Sequence, residues 1–209
     1  MKKRIALGMI TALALSTSVA MASPVEMNEG QFNVNIGVAF SPDTELESGG
    51  SSVDFDSDES FYGGVTYGIT DKWGIQYDYS HYDSSHAGFD YKMDASEFNI
   101  LYKLDPHLNA FAGYVYAGMN ASGHSMETGV HTDGYQVGLA GWYPLSNKFK
   151  TFAKVGIGNN SRIYEIGVSY ATSERWDIDI SYRDAEYKDF YDTVDMNYDG
   201  IRFGLSTSF

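Results

Sequence analysis

The residues of this chain best equipped for chemistry are histidines beside serines and acids. SHYDSSH places His81 and His86 around Asp83 and the hydroxyls of Ser84 and Ser85, GHSME places His124 beside Ser125 and Glu127, and His131 follows. An imidazole that takes a proton from serine is the arrangement of acyl transfer, and a histidine with paired acids serves general acid–base hydrolysis. Both need convergence in space, which adjacency in a polar link does not supply. No segment matches a catalytic motif, so these histidines read as solvated, and neither a catalytic site nor a cofactor is expected. A second cluster, DFDSD, spaces Asp54, Asp56 and Asp58 as the first ligands of a calcium loop are spaced. Glu59 stands where such a loop needs glycine and Val65 where it needs its final glutamate, so an EF-hand is rejected. A looser divalent-ion contact through the three aspartates is the alternative to a solvated charge run.

The elements that would hold such residues are short alternating strands. In FNVNIGVAF, Phe32, Val34, Ile36, Val38 and Phe40 take one face against Asn33, Asn35, Gly37 and Ala39. WGIQYDY and WDIDISY repeat the pattern, and no long segment keeps a helical period. Ten such segments run near 30–41, 60–70, 73–82, 94–104, 108–119, 133–145, 149–158, 162–171, 176–184 and 198–209; Phe111 and Val115 break the alternation of the fifth. Links at ITDKW, LDPHL, LSNKF and ATSER are short, whereas 41–60, 83–93, 120–132 and 184–197 are long and polar. The two kinds alternate, except that GNNSR forms a tight hairpin where a long link is due. A soluble sandwich would also alternate, but Trp73, Phe149 and Trp176 each follow a short turn, where an interfacial aromatic girdle belongs. The expected fold is all-β, a transmembrane antiparallel up-and-down barrel of ten strands, with eight as the alternative.

Composition narrows the setting. MKKRIALGMITALALSTSVAMAS has a basic start, an apolar stretch and Ala20-Met21-Ala22, so residues 1–22 read as a cleaved signal peptide and 23–209 as one barrel domain. Cleavage carries the formal charge from −14 to −17, a sign that argues against nucleic acid as a partner. The absence of cysteine excludes a disulfide framework, a thiol catalyst and a lipoprotein anchor.

The leader, the alternating links and the final strand GIRFGLSTSF together resemble the small outer-membrane β-barrel proteins, the group that holds the OmpA transmembrane domain, OmpX-type and opacity proteins. YEIGVSYATSERWDIDISYRDAEY and FGLSTSF also resemble the end of the YfaZ family. The resemblance implies an outer-membrane location, lipid and lipopolysaccharide as surroundings, a monomeric state, and recognition of Phe203, Leu205 and Phe209 by the barrel assembly machinery. Thr207 departs from the aromatic that the group prefers there.

With that register the lumen parity holds the acids Asp78, Glu97, Glu165, Asp177 and Asp179 and the bases Lys103, Lys150, Lys154, Arg183 and Arg202. Such a balance reads as a paired polar network, the alternative being a gated ion path. The excess acid then lies outside, in mobile loops over 41–60 and 184–199. The expected role is structural, adhesive or surface-interacting. A narrow passive pore is the alternative, and a lipid A- or peptide-modifying enzyme the third reading.

Overall fold

The computed structural model describes residues 27–209 except 49, 58–59, 87, 124–125, 174 and 191–193, so the leader reading of 1–22 lies outside the described residues. Eleven strands follow one another: β1 (Phe32–Ser48), β2 (Ser51–Ser57), β3 (Ser60–Gly68), β4 (Trp73–His86), β5 (Phe89–Asp105), β6 (Leu108–Gly123), β7 (Met126–Pro144), β8 (Phe149–Gly158), β9 (Ser161–Ala171), β10 (Trp176–Phe190) and β11 (Val194–Ser208). β2 and β3 pair successive stretches of β1, with Ser51–Phe55 against Thr44–Ser48 and Ser60–Tyr67 against Phe32–Ala39, so together they make one barrel strand. Ten antiparallel staves therefore close where β1 meets β11. Closure leaves no unpaired edge in the lipid, where an unsatisfied backbone group is costly.

Alternation sorts the side chains. Ile36, Phe98, Ile166, Ile178 and Ile201 lie exposed on the outer wall, while Asn33, Asn99, Gln136 and Ser169 are buried within. At the end where β1 begins and β11 finishes, three turns share one device. The Thr70 hydroxyl accepts from the backbone N–H of Lys72 and Trp73 at 3.2 and 3.0 Å; Ser146 does the same for Lys148 and Phe149, and Ser173 for Arg175 and Trp176. A side-chain oxygen thus satisfies the turn donors and sets an aromatic at the strand's first position. In the fourth turn Asp105 takes the hydroxyl's place, accepting from the His107 N–H.

The opposite end corrects one expectation. The links over 41–60, 83–93, 120–132 and 184–197 are mostly strand, not loop: Asp83↔Lys92, Ser85↔Asp90, Ala121↔Thr128 and Glu186↔Asn197 continue the ladders past the apolar belt. Polar residues on both faces made these stretches look like loops, but inward Met93, Met119, Tyr187 and Met196 give them a core of their own. Beyond Gly158, the wall is low. Asn159 and Asn160 make the two-residue turn, and Asn160 bridges the gap by donating to the Asp133 carbonyl at 3.0 Å and accepting from the Lys188 N–H at 2.9 Å.

Candidate functional site

The lumen is filled in three layers. Two cross-strand rows face one another in the middle: Asp78↔Glu97 on β4 and β5, and Lys154↔Glu165↔Arg183 on β8, β9 and β10. One wall is acidic and the other is mostly basic, so the rows pair across the barrel. Lys154 Nζ donates to Asp78 Oδ2 at 2.7 Å and to Glu97 Oε2 at 2.9 Å. Arg183 donates to Glu97, and to Glu165 Oε2 at 3.4 Å. Gln136 Nε2 donates to Asn99 Oδ1 at 2.8 Å and to Glu97 at 3.3 Å. Such groups are tolerable away from water because each charge meets an opposite one with directed hydrogen bonds.

The other residues expected in this network are distributed around it. Arg202 donates to Ser80 Oγ at 3.0 Å and the Tyr82 hydroxyl at 2.7 Å, with its guanidinium 4.5 Å from the Tyr62 ring centre. Asp179 accepts from the hydroxyls of Ser169 and Ser206. Asp177 is buried nearer the turn end, where Lys150 lies 4.6 Å from the Trp142 ring centre. Lys103 shares the inward parity but stands half-buried at the mouth, bonded to Asn28 Oδ1 at 3.1 Å, and so falls outside the central network.

Apolar layers bracket the charges. Towards the turns, Met27, Leu101, Phe111, Ala140 and Phe152 pack together with Trp142. Towards the long hairpins, Tyr82, Met93, Val115, Met119, Tyr187 and Tyr198 belong to a larger cluster, in which the Tyr82 and Tyr198 rings stack at 4.3 Å. Burial pushes the Tyr187 and Tyr198 hydroxyls well above the ordinary tyrosine range, so both stay neutral. Phe111 and Val115 sit in these two layers. Their break in alternation was the visible trace of apolar matter inside the lumen; the inward tyrosines and Met27 left no such trace. Between the layers lies a cavity of about 30 Å³ lined by Asn35, Asp78, Lys154, Glu165, Asp179 and Arg183, among others. That space holds roughly two waters.

The described histidines do not converge. His81 lies on the outer wall, with Nδ1 2.8 Å from Asp94 and Nε2 3.2 Å from Asp83, under a stacked Phe61 ring. His86 packs against Phe55 and His131 against Tyr116, while His124 lies outside the described residues. Asp54 is exposed on β2; the side chain of Asp56 and all of Asp58 lie outside the described residues. Among the described residues no group of three His, Cys, Asp or Glu side chains has metal-holding geometry. Phe203, Leu205 and Phe209 face outward, and the Phe209 N–H donates to the Phe32 carbonyl at 2.9 Å.

No curated protein matches the chain. Among solved structures, it resembles the outer membrane protease OmpT from Escherichia coli at 11% identity and a TM-score of 0.58, covering 86% of this chain and 97% of that one. The translocator domain of the autotransporter NalP from Neisseria meningitidis gives 13% identity and a TM-score of 0.52, covering 86% and 88%. Ail, the attachment invasion locus protein of Yersinia pestis, gives 13% and 0.45, covering 87% and 99%. At these identities the likeness speaks to the fold alone. The family model for the outer membrane protein β-barrel domain matches residues 10–209, and the chain belongs to that family.

Proposed function

We propose that this outer-membrane barrel is a non-conducting, non-catalytic anchor that presents acidic hairpins for contact at the cell surface. One observation carries the reading: among the described residues the lumen is packed in three layers while the walls continue past the lipid belt. Salt-bridged charges between two apolar layers leave room for roughly two waters, not for a hydrated ion path. The extended ladders carry Asp43, Glu45, Glu47 and Asp54 on β1 and β2 beside Asp184, Glu186, Asp189, Asp195 and Asp199 on β10 and β11, with Asp43 opposite Asp199 and Glu47 opposite Asp195, so the acids gather on one side of the rim and the field there is negative. The separation of His81, His86 and His131 favours a binding role over a hydrolytic one.

Planar-bilayer recording tests the first half of this reading. The purified protein should give no steady unitary steps, and reproducible ohmic steps at low voltage would favour the passive pore. Adhesion tests the second. Proteoliposomes should hold to polylysine-coated beads at low salt and release once Asp184, Glu186, Asp195 and Asp199 are neutralised together. Unchanged adhesion would remove these hairpins as the contact surface.

A further inference from the structure

The layer that closes the turn end is not made by the barrel wall alone. Met27 precedes β1, yet it is 2% exposed and packs against Leu101, Phe111, Ala140 and Phe152 inside the mouth. From Met27 the chain runs inside the mouth, turns at Gly30, whose φ of 72° suits glycine, and only then begins β1. Gln31 N–H closes the turn on the Asn28 carbonyl at 3.1 Å, and Lys103, on β5 next to the β4 wall, donates to Asn28 Oδ1.

A niche in the wall receives this segment. Gly68 and Gly74 are register partners on β3 and β4, and both face inward. A Cβ at Gly68 would fall on the Asn28 carbonyl group, and one at Gly74 would strike the Met27 sulfur. Two opposed glycines thus remove the wall's own side chains where the segment enters. Backbone bonds complete the seat: Gly30 N–H donates to Gly68 O at 2.8 Å and Gly68 N–H to Gln31 O at 3.0 Å, beside a parallel bridge from Glu29. A methionine fills such an irregular gap well, since its unbranched side chain adapts to the surrounding shape.

We propose that residues 27–31 are a cork: Met27 seals the mouth at the turn end from a glycine niche, and its withdrawal opens the charged chamber to that side while the barrel stays closed. The observations favour a separable part. Met27, Asn28 and Glu29 belong to no barrel strand, and among the described residues a bridge, hydrogen bonds and the packing of Met27 hold them in place of a ladder. The wall strands are instead tied by ladders along their whole length. Segments with so few ties open locally at lower free energy than the sheet. The cork leaves the hairpin-end layer in place, so release admits water to the chamber without making a through-channel.

The chain has no cysteine, so single introduced thiols report access cleanly. In folded protein, Ala140→Cys reports the turn-end layer and Val115→Cys the hairpin-end layer, and the probe is methyl methanethiosulfonate. Met27→Gly should raise the modification rate at Ala140→Cys by about ten-fold, the size expected when a local closure is lost, and leave Val115→Cys unchanged. Gly68→Ala should do the same with Met27 intact, because the atoms nearest its new methyl are those of Asn28 and Glu29. Should Gly68→Ala fail to fold, Met27→Gly decides alone. An unmoved rate at Ala140→Cys overturns the cork, and so does an equal rise at Val115→Cys, which would mean that the whole barrel has loosened.

Discussion

The Tyr114 hydroxyl donates to Asp133 Oδ2 at 2.6 Å, across the β6–β7 pair and two residues further out than Tyr135, the register partner of Tyr114. The same diagonal recurs twice. Tyr79 donates to Asp94, two residues beyond its partner Ser96, and Tyr182 to Asp199, two beyond Ile201. In each hairpin the ring lies against the apolar belt and the hydroxyl reaches a carboxylate that must be in water, so the three pairs trace the outer edge of the lipid zone. Tyr182→Phe keeps the ring and removes the bond. It should cost about 0.2–1 kcal/mol, the range of a cross-strand pair, read by urea unfolding in lipid vesicles. A loss several times larger would mean that the hydroxyl is inside the lipid zone and the edge lies further out.

Belt and lumen should respond differently to new charge. Ile36 and Ile178 are 59% and 42% exposed on the outer wall. A lysine at either should cost ~2–4 kcal/mol if it lies near the bilayer midplane. Asn35 borders the chamber, whose lining already mixes Asp78, Glu165 and Asp179 with Lys154, Arg183 and Arg202, so Asn35→Lys finds carboxylates within the polar layer and should cost less. Equal losses at all three positions would contradict the register.

How much of this was legible in the sequence varies with depth in the barrel. Alternation in FNVNIGVAF located β1 because lipid outside and polar groups inside give its two faces opposite character. The same rule failed at Phe111 and Val115, since it assumes a polar lumen and these residues enter apolar layers. It also failed beyond the belt: where the outer face meets water instead of lipid, Asp83 and Lys92 look like loop residues although they are ladder partners. For the charges, parity placed Lys154 and Glu97 on the lumen side, but their meeting depends on which staves face each other across the barrel. Sequence distance carries no trace of that, the two residues standing 57 positions apart.

The central network should behave as a unit. Lys154 joins Asp78 to Glu97, so Lys154→Met leaves half-buried Asp78 without its cation and takes one from buried Glu97, and should cost about 3–5 kcal/mol, as breaking a buried pair does. Adding Asp78→Asn should recover part of that loss, because the stranded charge is removed while Glu97 keeps Arg183. Additive losses in the double-mutant cycle would show that the pair is not coupled.

The outer hairpins should respond to acid in opposite directions. Burial, and then the charge of Asp199, raises the Asp184 carboxyl above its ordinary range, with Arg162 opposing and Glu186 adding to the rise. Its folded form therefore favours the proton: its stabilising contribution is full below the ordinary carboxyl range and fades as pH rises through the higher folded value. For Asp94 partial burial pushes upward, but the hydrogen bonds from Tyr79 and His81, with Lys92 nearby, outweigh it and hold the carboxyl low. Its contribution is present at neutral pH and is lost as acid protonates it. Between neutral pH and the acid end of the carboxyl range, amide protection corrected for intrinsic exchange should rise in the outer part of β10–β11 and fall in that of β4–β5. Asp184→Asn should abolish the rise alone. Parallel changes in both hairpins would mean that a global charge effect outweighs these two groups.

The final residue separates folding from assembly. Phe209 is 69% exposed, so its ring adds little packing, while its backbone closes the ladder with Phe32 through bonds of 2.9 and 3.1 Å. Phe209→Ala keeps that ladder and deletes only the ring. If the ring is read by the assembly machinery together with Phe203 and Leu205, the variant should reach the outer membrane in smaller amounts, yet unfold in urea close to the parent once refolded in detergent. Thr207, 5% exposed between its register neighbours Val34 and Trp176, offers the converse test. Thr207→Phe installs the aromatic preferred by the resembling barrels at a crowded site, so it should raise cellular assembly while lowering refolded stability. Equal cellular amounts of the parent and Phe209→Ala would assign the terminal phenylalanine no role in recognition.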